Sequence, residues 1–160
     1  MAYQKLQVGL AANVIPSDTI PIPVPNSSSI TGTNTSVTVN KLVDSSGKFD
    51  VDDLKSGAIV VNTTDSTIAE VTNVDDANTL SLSQDIFTGA SKNYIVYINP
   101  DMNRSEGCVL YCGATGDIKV ETVGGSEVTY VGVPTGVFLP VQVYKVFSSG
   151  TTATSLIANW

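Results

Sequence analysis

The sequence predicts an all-β protein in two parts. A discontinuous β-sandwich or barrel-like domain is formed by the two chain ends, and a small β-barrel-like module is inserted between them. Composition is the first indication, because 22 valines and 18 threonines stand against 9 leucines, and β-branched side chains pack better on a pleated sheet than on a helix. The second indication is a series of short alternating runs separated by turn-forming residues, which is typical of sandwiches and barrels.

The N-terminal segment is predicted to be an extended, proline-rich arm. Prolines at four positions between 16 and 25 exclude a helix and a central strand, because proline lacks a backbone donor. The alternative is a disordered tail, but such a tail would be more polar, whereas apolar residues stand between these prolines. We expect residues 14–25 to lie on a neighbouring protein. The apolar residues, which are candidates for that interface, are Ile15, Ile20, Ile22 and Val24.

The inserted module is predicted to span residues 30–99, and residues 1–29 and 100–160 form the other domain. The Ser/Thr/Gly/Asn-rich stretch 26–36 has the composition of a linker. Segment 49–57 predicts one helical turn that ends at a left-handed Gly57. Five alternating or β-branched runs predict strands at residues 36–43, 58–63, 68–74, 79–83 and 93–98.

The last third of the chain predicts paired strands. Ile118 and Val120 alternate with charged residues before a Gly-Gly-Ser turn, and Val128 and Tyr130 alternate after it, which is the pattern of a half-buried hairpin. A turn is predicted at residues 134–136, and the strand beyond it is apolar on both faces. We therefore expect core on one side and another element or subunit on the other. Interface candidates here are Leu139, Val141, Tyr144 and the terminal Trp160.

Residues that carry chemistry are scarce, so we expect no enzymatic activity and neither a metal nor a cofactor. The chain has no histidine to act as a base for a nucleophile. Cys108 and Cys112 lie about 13 Å apart if they share one strand, which is too far for a disulfide. They lack a second ligand pair for zinc, so we interpret them as buried thiols. The carboxylates between positions 44 and 53 do not have the spacing of an EF-hand loop and are interpreted as capping or solvated groups.

Charge and hydropathy restrict the classes of partner. A net charge of -7 with one arginine, Arg104, argues against nucleic acid and anionic membranes as partners. Residues 1–18 contain only a short, interrupted apolar run, which predicts neither a membrane span nor an export signal. The glycosylation sequons at Asn26 and Asn62 are accordingly interpreted as turn residues.

Two segments, residues 14–25 and 107–160, carry a resemblance to a known family. The first contains IPSDT before a proline-rich apolar run, and the second runs from GCVLYC to SLIANW. Together they resemble the head-spike base protein family of tailed phages and gene transfer agents. The matching positions are Ser17, Asp18, Thr19, Gly116, Asp117, Lys119, Val120, Gly124, Gly125, Val128, Thr129, Val133, Pro134, Gly136, Leu139, Pro140, Val141, Val143, Val146, Gly150, Thr151, Thr152, Ala153, Thr154 and Trp160.

The resemblance implies a structural component of a virion, made in the cytoplasm of the host bacterium. A head-associated role is expected, either as a spike or fibre base or as a capsid decoration or cement protein. The implied partners are the major capsid protein or a neighbouring spike or tail protein, together with further copies of this chain in a homo-oligomer. A tail or fibre-attachment role is the alternative.

A host-glycan-binding adhesin is a further alternative, and it places the binding site in the inserted module. Sugar faces stack on aromatic rings, and the local aromatic candidates are Phe87, Tyr94 and Tyr97.

Overall fold

A computed structural model of the chain describes residues 9–25, 29–51, 53–98 and 107–160. All regular secondary structure in these ranges is β-strand, and the prediction of an all-β, sandwich or barrel-like fold is confirmed. The strands are β1 (Ala11–Asn13), β2 (Ser29–Thr33), β3 (Lys41–Val43), β4 (Ile59–Asn62), β5 (Thr67–Asp76), β6 (Thr79–Leu82), β7 (Asn93–Tyr97), β8 (Val109–Tyr111), β9 (Gly116–Thr122), β10 (Glu127–Val133), β11 (Val143–Val146) and β12 (Ile157–Asn159).

The chain divides into two compact units. The first combines its two ends, Met1–Ile22 and Met102–Trp160, and the second is the continuous stretch Pro23–Asp101. Each unit has its own strands and its own hydrophobic core.

The first unit contains two three-stranded antiparallel sheets, with strand orders β1-β12-β8 and β10-β9-β11. The predicted hairpin is present, since Val128 lies opposite Val120 and Tyr130 opposite Ile118. Its connecting turn includes Gly125 at φ 83°, a conformation that glycine adopts without steric cost. The buried core of this unit consists of Cys108, Leu110, Cys112, Ile118, Val120, Val133, Leu139, Val143, Val146, Ala153, Leu156 and Ala158.

Both cysteines are free and buried in this core, as predicted. Burial raises the pKa of the Cys108 thiol to about 12. At neutral pH this thiol is therefore protonated and acts as a small apolar side chain.

The second unit is one six-stranded antiparallel sheet of order β2-β7-β4-β5-β6-β3, curled like half a barrel. The chain that leaves β2 runs beside β3, where the Thr35 N–H donates to the Val43 carbonyl at 2.8 Å. This contact brings the two ends of the sheet toward each other and covers part of their edges. The core is Leu42, Phe49, Leu54, Ala58, Val60, Ala69, Val71, Leu80, Leu82, Ile86, Phe87, Tyr94 and Val96.

Two local predictions for this unit are wrong. Residues 36–43 do not form one strand, because Asn40 has φ 56° and the chain folds back so that Ser36 pairs with Val43. The stretch interpreted as a linker contains β2, which pairs along its whole length with β7. Asparagine tolerates the left-handed conformation, and alternation of residue types does not reveal where the chain uses it.

The predicted helical turn in segment 49–57 is also wrong. Leu54 donates to Val51 and Ala58 donates to Lys55, both at 3.1 Å, so the described residues here form separate turns. Phe49 is fully buried and its N–H donates to the Ala77 carbonyl at 2.8 Å, which ties the start of the segment to the β5–β6 connection. The predicted left-handed glycine is present, since Gly57 has φ 96°.

Candidate assembly interface

The proline-rich segment is integrated into the first unit. Three of its N–H groups donate to carbonyls of the C-terminal stretch: Val14 to Leu156 at 2.9 Å, Ser17 to Val146 at 2.9 Å and Ile22 to Tyr144 at 3.1 Å. These contacts of the N-terminal segment are with its own unit. Prolines remove donors at the intervening positions, so the segment follows β11 with widely spaced hydrogen bonds.

A carboxylate joins the two segments that carry the family resemblance. Asp18 accepts hydrogen bonds from the Ser149 N–H at 2.9 Å and from the Ser149 hydroxyl at 2.6 Å. These bonds lower the pKa of Asp18 to about 2. The Ser17 hydroxyl oxygen accepts from the Ile20 N–H at 3.1 Å and so shapes the turn that presents Asp18.

Two of the predicted interface residues are core residues. Ile20 is 5% exposed and Leu139 is 3% exposed. Their side chains are covered by their own chain, which leaves them almost no surface for contact with another protein. Ile20 is buried because the Ser17 turn directs the chain back onto the unit, a feature that residue type alone does not show.

The other six candidates are half-buried. Ile22, Val141 and Trp160 pack against the core of the first unit, and the remaining three are Ile15, Val24 and Tyr144. Trp160 is also fixed through its backbone, since its N–H donates to the Leu10 carbonyl at 3.0 Å and its carbonyl accepts from Gly9 at 2.7 Å. The structure therefore brings the terminal indole to its own unit.

The most exposed apolar side chains of the first unit were not among the predicted interface residues. Val131 on β10 is 79% exposed, and Phe138 after β10 is 48% exposed. Phe138 contacts Tyr111 with ring centroids 5.2 Å apart. The sequence contained a signal for the exposure of Val131. This valine lies on the same face of the strand as Glu127 and Thr129, and that face points away from the core.

Charged side chains near β10 are paired within the unit. Lys119 lies 3.3 Å from Glu127, and Lys145 lies 3.2 Å from Glu121. Both ammonium groups also lie over the Phe147 ring, at 4.4 and 4.5 Å from its centroid. These are the only lysines in the described part of the first unit, and both are paired with a glutamate.

The aromatic platform expected for glycan binding is buried in the second unit. Phe87 and Tyr94 are core residues, and Tyr97 is buried as well. The rings of Phe87 and Tyr94 pack edge to face, with their centroids 6.4 Å apart. These aromatic rings therefore do not offer a surface on which a sugar can stack, and the glycan-binding prediction loses the residues on which it rested.

Asn62, in one of the two sequons, is the last residue of β4 rather than a turn residue, and its side chain caps the turn that follows. Its side chain is buried, and its Oδ1 accepts hydrogen bonds from the N–H groups of Thr64 and Asp65, both at 3.0 Å. Asn26, in the other sequon, lies outside the described residues.

The acidic stretch 44–53 was interpreted as capping or solvated groups, and one of its described carboxylates is a buried hydrogen-bond acceptor. Asp44 is buried, and its carboxylate accepts hydrogen bonds from the Tyr94 hydroxyl at 2.8 Å and the Ser46 N–H at 2.9 Å. Within the described ranges, no group of three or more His, Cys, Asp or Glu side chains is arranged to hold a metal ion.

No known protein family, curated protein or solved structure matches the chain. None of the described residues belongs to a helix of the length and hydropathy needed to cross a membrane.

Proposed function

We propose that the chain is a non-enzymatic structural component of a bacteriophage particle, associated with the head as a spike or fibre base or as a decoration or cement protein. One observation carries the proposal. The two segments that resemble the head-spike base family are far apart in sequence, yet residues of both belong to one compact unit. The Asp18–Ser149 hydrogen bonds lie at their junction.

The inserted unit supports the same proposal. Residues 23–101 have a separate core, and the chain leaves the first unit after Ile22 and re-enters it at Met102. An attachment unit with a separately folded insertion is the organisation expected when a virion protein carries an additional module.

A tail or fibre-attachment role uses the same features, so the experiment must locate the chain on the particle. Purified particles are separated into heads and tails, the chain is detected by immunoblotting, and its density is traced in an electron cryomicroscopy map. We expect it in the head fraction. Presence in tails alone supports the alternative, and absence from particles contradicts both roles.

A deletion tests which unit attaches. Replacement of residues 30–99 by a short Gly/Ser linker should leave incorporation into particles intact, because the first unit keeps its core and its N-terminal segment. The matched control lacks residues 1–22 and retains the second unit, and it should fail to incorporate. Incorporation of the control but not of the deletion variant would assign attachment to the second unit instead.

A further inference from the structure

β10 is the long open edge of the first unit. In the described part of the chain it pairs only with β9, and no backbone hydrogen bond from another segment reaches its outer side. The outer edges of β11 and β8 are covered. The N-terminal segment donates to β11, and Cys108 exchanges hydrogen bonds of 3.0 and 2.8 Å with Val143 beside β8. A seven-residue uncovered edge is a template for pairing with another strand.

The hydrogen-bonding pattern of the hairpin shows which groups face outward. The Thr122 N–H donates to the Ser126 carbonyl at 2.9 Å, so these residues form a hydrogen-bonded pair. Opposed residues in an antiparallel ladder alternate between bonded and non-bonded pairs. Val128 is therefore bonded to β9, and the N–H and C=O of Thr129 point away from it. Thr129 is exposed, so its backbone groups are accessible to a second strand.

We propose that β10 pairs antiparallel with β10 of a second copy of the chain, across a two-fold axis at Thr129. The two Thr129 residues then exchange N–H···O=C hydrogen bonds, and the two three-stranded sheets become one six-stranded sheet. In this register Val128 of each copy lies opposite Tyr130 of the other. The interface is isologous, because each copy contributes the same residues.

The apolar pattern of β10 complements itself in this register. Val128 and Tyr130 lie opposite the buried Val120 and Ile118, so they belong to the core-facing row of the hairpin. Val128 remains 39% exposed because no strand follows it. Tyr130 of the second copy would cover it and continue the row. Aromatic residues opposite β-branched residues, and threonine opposite threonine, are favourable cross-strand pairs.

The charges of β10 also fit a second copy. Glu127 is the only charged residue on the strand, and it already lies against Lys119. In the proposed register each Glu127 lies opposite Val131 of the other copy. The two carboxylates are then four residues apart along the ladder, about 14 Å. The regular pairing of β10 with β9 ends at Tyr130, because the register shifts between Tyr130 and Val133 and Gly132 has φ 61°, so Val131 marks the limit of the proposed ladder.

Cysteine cross-linking of the full-length chain tests the register. Directly opposed residues of a hydrogen-bonded pair have Cα atoms about 5.5 Å apart, a distance that a disulfide spans. Thr129→Cys should therefore form a covalent dimer under mild oxidation. Val131→Cys is the matched control, since the native residue is 79% exposed but the two copies lie about 14 Å apart at this position. Equal or greater cross-linking at position 131, or none at position 129, would overturn the proposal.

Charge substitution provides a second measurement. We expect sedimentation of the wild-type chain over a concentration series to reach twice its mass of 16.7 kDa. Thr129→Lys places two ammonium groups opposite each other and should raise the dissociation constant at least about tenfold. An equimolar mixture of Thr129→Lys and Thr129→Glu should restore the dimer. A wild-type chain that stays monomeric, or a mixture that does not restore pairing, contradicts the two-fold contact. Neither result bears on whether the chain is a virion component.

Discussion

Tyr94→Phe should selectively weaken the second unit. The phenol is 2% exposed, and its hydroxyl donates to Asp44 Oδ2 at 2.8 Å. Burial, and then the hydrogen bond to Asp44, raises the pKa of Tyr94 above its ordinary value, so the hydroxyl stays a neutral donor. The substitution removes this donor and leaves the ring in contact with Phe49, 6.0 Å away between centroids, and with Phe87.

The expected loss follows from the position of the carboxylate. A hydrogen bond to a charged group contributes about 1.5–3 kcal/mol, and an acceptor that loses its partner inside the protein keeps its desolvation cost. The backbone of Gly32 packs closely against the Tyr94 hydroxyl, since a Cβ added to this glycine would lie 2.5 Å from the hydroxyl oxygen. This close packing leaves little room for a water molecule to replace the hydroxyl. The Ser46 N–H still bonds to the other carboxylate oxygen at 2.9 Å. We therefore expect a decrease of about 2 kcal/mol in the free energy of unfolding of this unit.

Urea unfolding followed by far-ultraviolet circular dichroism measures this change. Tyr97→Phe is the matched control, because it makes the same chemical change at a buried tyrosine whose hydroxyl has no hydrogen bond to another described side chain. It should cost less than about 0.5 kcal/mol. A double-mutant cycle with Asp44→Asn isolates the interaction between the two side chains. Equal losses for the two tyrosine variants, or no coupling to Asp44, would refute the reasoning.

Three further predictions concern the first unit. Asp18→Asn should lower the melting temperature at pH 7, and its effect should shrink as the pH falls from 3.8 toward 2; the folded-state pKa of about 2 lies below the ordinary value of 3.8, so the stabilisation is present above pH 3.8 and disappears as the pH falls through 2. Cys108, whose pKa burial raises to about 12, should resist iodoacetamide at pH 8 until the protein unfolds, and rapid alkylation of the folded chain would contradict its burial. The emission of Trp160 should be blue-shifted and insensitive to dilution, because the indole packs on its own unit; a red shift on dilution would place it between subunits.

Local patterns predicted the features that depend on neighbours in sequence. The β9–β10 hairpin follows from alternation on both sides of a glycine-rich turn, and its register matches that pattern. The burial of Cys108 and Cys112 follows from the apolar run in which they lie and from the lack of further ligands. In each case the short-range pattern restricts the backbone to one arrangement.

Features that depend on distant partners were missed. β2 has a Ser-Ile-Thr-Gly-Thr sequence with weak strand character, and it is a strand because β7 offers it an edge. Tyr94 and Phe87 are aromatic residues of the kind that form a sugar-binding platform, but both belong to the core of the second unit. The Tyr94 hydroxyl is directed inward by its hydrogen bond to Asp44. Ile20 stands between prolines in a segment that resembles a free arm, and a turn at Ser17 directs it inward.

Composition and alternation by themselves determined that this chain is all-β, that it has few residues capable of catalysis, and where its C-terminal hairpin turns. Tertiary structure alone decided which strand edges are covered, which apolar residues are core and which remain at the surface. The reason is physical: side-chain periodicity assigns residues to the faces of a strand, whereas edge pairing and burial depend on contacts between segments far apart in sequence, such as Asp18 and Ser149, which lie 131 positions apart.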